Sequence, residues 1–184
     1  MKGIIFDLFE SVVTAELGEA IWGQIVDGAG ARRDYATDGT YSHEELLALV
    51  DEAAIALSKT ADETLAWFGR RSIPILASSY PALFTEHTSS VGFVLTLNDV
   101  VHRYVQDTFP DAYLPLFDFI QESADTLILS YASYRDLCPF ARGMLEGAAD
   151  YYRETVRIEH FHCQRKGDER CAFLLRIESP ERTT

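Results

Sequence analysis

Apolar residues recur every three or four positions through the first part of the chain and every second position near its end. Residues 1–13 are apolar at mixed spacing and predict a short helix. Residues 15–26 place Leu17, Ile21 and Ile25 at helical spacing, with Trp22 beside them, and the run stops at Gly28-Ala29-Gly30. Residues 31–41, rich in charge, Gly and Thr, predict a loop. Ser42-His43-Glu44-Glu45 reads as a capping box, opening a helix with Leu46, Val50, Ala53 and Leu57 on one face. Thr60-Ala61-Asp62-Glu63 is a second box, opening a helix through Leu65 and Phe68 that Pro74 should kink or break.

Residues 91–107 predict one further helix, with Val94, Leu97, Val101 and Val105 as its stripe and His102 beside it. The texture changes after Pro110. Residues 126–133 are β-branched and aromatic and predict a strand; 138–154 return to helical spacing. Residues 155–161 and 171–178 predict two strands joined by a hairpin with a Gly167-Asp168 turn. The expected fold class is α+β: an N-terminal helical lobe over 1–65, then helices on an antiparallel sheet over 66–180. Residues 1–180 are expected to form a single domain, with 181–184 a frayed tail.

Composition narrows the function. The 184 residues are 47% hydrophobic, enough for a sizeable core. No apolar run approaches the roughly 20 residues that span a bilayer, and Asp7 interrupts the start too early for a signal-peptide core. A soluble cytoplasmic protein is expected. The formal net charge of -13 disfavours a nucleic-acid partner, because phosphate binding wants a basic field. Residues 1–65 hold 13 acidic against 4 basic side chains, which predicts a solvated face or a docking face for a basic partner. Three cysteines do not make a disulfide framework.

Three constellations can carry chemistry. In Tyr131-Ala132-Ser133-Tyr134-Arg135, alternation along a strand sends Tyr131, Ser133 and Arg135 to one side. A phenol, a hydroxyl and a guanidinium in a row suit a ligand with more than one anionic oxygen; they equally suit an exposed strand end. His102 on an apolar helix is a rigid mount for a metal-ligating imidazole, or a hydrogen-bonded core residue. Cys138, His160, Cys163 and Cys171 use every cysteine in the chain and suit a closed Cys₃His zinc site. Buried free thiols, or a Cys163–Cys171 disulfide, are the alternatives. In a straight strand His160 and Cys163 face opposite ways, and His162 competes as ligand. No phosphate loop or nucleophile elbow is present, so an enzyme is not expected.

A helical His followed about thirty residues on by Tyr-x-Ser-x-Arg resembles the haem-nitric oxide/oxygen binding (H-NOX) family over almost the whole chain. The opening Met-Lys-Gly-Ile-Ile, Pro115, Gly143 and Gly147 fit the same pattern. The resemblance implies haem b between the lobes, with His102 as proximal iron ligand and Tyr131, Ser133 and Arg135 on the propionates. Pro115, Ile5, Phe9, Phe140 and Met144 would line the pocket. Oxygen-binding members carry a Tyr where Phe140 stands, so the resemblance implies selectivity for nitric oxide, which needs no distal donor. It further implies that nitric oxide weakens the iron–His102 bond, releasing the helix of residues 91–107 and letting the haem relax against Pro115. The cysteine positions resemble the bacterial stand-alone type that carries zinc. Such a chain would have no output domain and would signal through a separate histidine kinase or cyclic di-GMP enzyme. The run Gly167-Asp168-Glu169-Arg170-Cys171-Ala172-Phe173 also resembles haem-free ligand-binding domains of the vinyl-reductase (4VR) type. A zinc/thiol redox sensor is a third possibility.

Overall fold

The structure, a computed structural model, describes residues 1–178. The tail expected to fray lies outside the described residues. Helix α1 spans Gly3–Leu17 and α2 spans Glu19–Ala29. The break falls at Gly18, not before Ala15 as expected, because Gly18 adopts φ +90°, which a glycine enters without steric cost. Residues 31–41 form the predicted loop. It pairs Thr40 with Lys2 and buries Tyr35 stacked on Phe6, ring centres 4.2 Å apart.

Helix α3 spans His43–Leu57 and α4 spans Ala61–Ser79. The two capping boxes part ways. Thr60 and Glu63 bond reciprocally as predicted. Ser42 makes no capping bond, because Glu45 is taken by the Arg32 backbone N–H and guanidinium and by the Tyr35 hydroxyl, while the Ser42 hydroxyl donates to Glu44. Pro74 does not end α4 either. Its ring nitrogen leaves the Arg70 carbonyl without a helical donor, and that oxygen lies against Gly147, where a Cβ would come within 2.6 Å.

Short helices α5 (Ala82–Thr85) and α6 (Ser90–Leu95) follow. The single helix expected over 91–107 is three pieces: α6, a π-helical turn over Leu97–His102, and α7 (Arg103–Thr108). The Val101 N–H reaches back five residues to the Thr96 carbonyl.

The sheet runs β1 (Leu116–Ser123), β2 (Thr126–Ala132), β4 (Cys171–Glu178) and β3 (Thr155–His162), in that spatial order and antiparallel throughout. β1 is a strand that the pattern reading lacks. Helix α8 (Cys138–Tyr151) lies between α4 and the sheet. Cβ atoms at Gly69 and Gly143 would sit 2.2 Å and 1.9 Å from carbonyl oxygens of the facing helix, so these glycines set the α4–α8 approach.

Two apolar cores result. One holds α1–α3 with the start of α4; the other holds α6, α8, the end of α4 and the inner sheet face. α4 runs through both, so the lobe boundary expected at residue 65 falls inside a helix.

Candidate functional site

Between the two cores lies a cavity of about 610 Å³ with mostly apolar walls. α1 gives it Ile5 and Leu8, α4 gives Phe68 and Leu76, and α8 gives Phe140 and Met144. Opposite stand Leu97, Val101 and His102, closed off by Pro115 and Phe117. Phe9 is a correction: it does not line the cavity. One helical turn past Ile5, it packs into the N-terminal core against Phe68 and Trp22, at 4.8 and 6.0 Å between ring centres, and is fully buried.

His102 ends the π-helical turn, its ring 5.3 Å from that of Phe117. Burial lowers its pKa to about 4, because a charged imidazolium is poorly solvated there. Its ring is therefore neutral at pH 7, and one nitrogen carries an available lone pair.

At the mouth, Tyr131 is 4% and Ser133 6% exposed. Burial raises the Tyr131 hydroxyl to about pKa 12, so it stays a donor. β2 ends at Ala132, so Ser133 and Arg135 sit in the following turn, not on a continuing strand; all three still face the cavity. The Arg135 guanidinium donates to the Tyr113 carbonyl at 2.9 Å and lies over the rings of Tyr113 and Tyr134. Its Nε is buried with no hydrogen-bond partner among the described residues. An orphaned cationic donor inside a cavity mouth calls for an anionic oxygen from outside the chain. Tyr113 and Tyr134 lie outside the alternate positions that pick out Tyr131, Ser133 and Arg135, so the strand pattern carries no signal for them.

The cysteines converge beside this mouth. One ligand atom from each of Cys138, His160, Cys163 and Cys171 lies within 4.8 Å of the others. The Cys138 and Cys163 sulfurs are 3.9 Å apart. Tetrahedral zinc, with bonds to sulfur of about 2.3 Å, would separate two sulfurs by about 3.8 Å. The opposed faces of His160 and Cys163 are reconciled by a bulge: His160 pairs with Phe173 and His162 with Ala172, so Phe161 is an extra residue that shifts the phase. His162 turns away to Asp168, at 3.5 Å. His160 Nε2 is buried without a partner among the described residues. Burial, and then the neighbouring sulfurs, push the Cys138 thiol up. Gln164 joins the two regions: its backbone N–H donates to the Cys171 sulfur and its side-chain oxygen accepts from the Ser133 N–H.

Residues 2–160 match the family model described as haem-NO-binding. The chain belongs to this family. Among solved H-NOX structures, the chain is similar to one from Shewanella oneidensis in the Fe(II)NO state, at 27% identity and a TM-score of 0.88, covering 97% of this chain and 100% of that one. It shares its fold with the unliganded Fe(II) protein from K. algicida (22% identity, TM-score 0.83, all of both chains). It also shares it with an oxygen-binding H-NOX domain related to soluble guanylate cyclases (19%, TM-score 0.82, 98% of this chain and 96% of that one). No curated protein sequence matches. H-NOX domains are haem-based gas sensors. Among the described residues, no helix is long and apolar enough to cross a membrane.

Proposed function

We propose that this chain is a nitric oxide-selective sensor that binds haem b in the interlobe cavity and regulates a separate signalling protein of the cytoplasm, a histidine kinase or a cyclic di-GMP enzyme. One observation carries the reading: a neutral, half-buried imidazole faces one wall of an apolar cavity whose mouth holds a buried arginine Nε without a partner among the described residues. The residues fit a flat apolar group with carboxylates at one edge. His102 would ligate the iron, while Tyr131, Ser133 and Arg135 would hold the propionates. Ile5, Phe140, Met144 and Pro115 would exclude water from its faces. When bound, haem supplies an iron centre that takes up a diatomic gas and answers by a changed bond to His102. Phe140 donates no hydrogen bond, so the α8 wall has nothing there with which to hold polar bound oxygen.

The test is an absorption spectrum of the reduced protein alone, in air, and under nitric oxide. The expected result is a haem band that ignores air and, under nitric oxide, shifts to the form lacking His102. A stable change in air would end the claim of selectivity. Absence of haem after reconstitution would favour the haem-free 4VR type.

The thiol cluster supports a second metal. Three thiolates and the His160 imidazole at these distances suit zinc, which would pin the β3–β4 hairpin to the start of α8. Its thiolates would also make the protein sensitive to oxidants. Elemental analysis should return one zinc per chain, and Cys171→Ser should remove it.

A further inference from the structure

The segment carrying His102 is held firmly at one end and loosely at the other. Helix α6 precedes the π-helical turn, and its first residue, Ser90, is 2% exposed. Both the Ser90 backbone N–H, at 2.9 Å, and its hydroxyl donate to one carboxylate oxygen of Glu154. Glu154 belongs to the turn between α8 and β3, 64 residues further along the chain. That turn grips the same region twice more. The Tyr152 hydroxyl donates to the Phe84 carbonyl at 2.8 Å. The rings of Phe84, Phe93, Tyr151 and Tyr152 form one cluster, with Phe84 stacked on Phe93 at 4.7 Å. The far end of α6 is held by Thr96, whose hydroxyl meets His87 Nε2 at 3.3 Å.

The next stretch is held differently. Asn98, Asp99 and Val100 are exposed, and among the described residues the one side-chain hydrogen bond from Leu97–His102 to the sheet is Asn98 to the Phe117 carbonyl. A π-helical turn carries one residue more than the α-helical path and is a natural place for rearrangement.

We propose that Glu154 is a positioning residue for His102: it anchors α6 to the end of α8, so that movement of the imidazole is taken up in residues 96–102. The carboxylate suits the task, because a part-buried, charge-assisted hydrogen bond with two donors on one oxygen is strong and directional. With α6 fixed, the π-helical turn cannot follow His102 toward the cavity and draws it back when its bond weakens. With α6 loosened, the segment travels with the imidazole. This proposal rests on His102 ligating haem iron.

The experiment uses the full chain with haem, and two readings. Amide exchange over residues 90–95 reports the anchor; the spectrum of the reduced protein under nitric oxide reports the fraction in which His102 is released. Glu154→Ala is expected to speed exchange over Ser90–Gly92 by about tenfold or more, as loss of a charge-assisted bond implies. It should also lower the released fraction of His102. Glu154→Gln, which keeps an acceptor oxygen, should restore both readings toward wild type. Ser90→Ala removes only the hydroxyl contact and should shift both in the same direction by a smaller amount, which decides the matter if Glu154→Ala does not fold. Faster exchange with unchanged release would make Glu154 a helix cap and nothing more, overturning the proposal. Unchanged exchange would overturn the anchor itself. A wild-type protein without a haem band would instead remove the reading underneath, before any variant is made.

Discussion

Individual residues show how far a side chain's role depends on what competes for it. Thr60 and Ser42 carry equivalent capping signals in sequence. Only Thr60 makes the bond, because nothing else recruits Glu63, whereas Arg32 and Tyr35 recruit Glu45. Thr60→Ala should therefore cost about 1 kcal/mol in denaturant unfolding, while Ser42→Ala should fall within about 0.5 kcal/mol of wild type. On the proposed reading, gas choice turns on Phe140. Phe140→Tyr adds a donor to the α8 wall, and one hydrogen bond of about 1.5 kcal/mol should slow oxygen loss by roughly tenfold. Stopped-flow decay of the oxygen-exposed reduced protein checks this. His102, Tyr131, Ser133 and Arg135 were legible as residue types at a spacing. The partial burial that lowers the His102 pKa, and the two tyrosines that brace Arg135, were not, since contacts made from other segments leave no local pattern.

Among the elements, α4 and α8 are decided by what they face. Their glycines allow backbone-to-backbone approach, and the Gly143 position leaves no room for a Cβ beside the Ala66 carbonyl. Gly143→Ala should lose about 3 kcal/mol by overpacking, lowering Tm by roughly 6–12 °C. Gly23, within α2, meets nothing within 4 Å. Gly23→Ala should instead gain about 0.5–1 kcal/mol from reduced backbone freedom. The same melting experiment, run as a pair, separates tight packing from intrinsic propensity. The π-helical turn was illegible because its stripe of apolar positions is the one an ordinary helix would show. β1 was legible in principle: Phe117 and Phe119 alternate with Leu116, Asp118 and Ile120, and the former pair is the less exposed. That alternation is weak beside the stronger signal of residues 126–133.

Across the whole molecule, two cores share α4 and enclose a cavity, so titration of buried groups bears on global stability. Burial is the leading cause that raises Tyr131 and Tyr152 to about pKa 12 and Tyr35 higher still. In the unfolded chain these phenols ionise near pH 10. Raised folded values mean that their contribution is full below pH 10 and declines as pH climbs toward 12, because the unfolded chain gives up protons first. Melting temperature should fall across that window, with a smaller fall in Tyr131→Phe. Sequence alone determined the fold class, most helix and strand positions and the residue types of both candidate sites, because periodicity, turn chemistry and family spacing are local or ordered along the chain. Only the tertiary structure decided that the Cys₃His atoms meet, that Phe9 leaves the cavity wall to Ile5 and Leu8, and that Pro74 sits inside an unbroken helix. Each of these depends on the facing surface: a bulge at Phe161 that sets the strand's phase, a core that claims one ring over another, and a glycine on α8 that leaves room for an orphaned carbonyl.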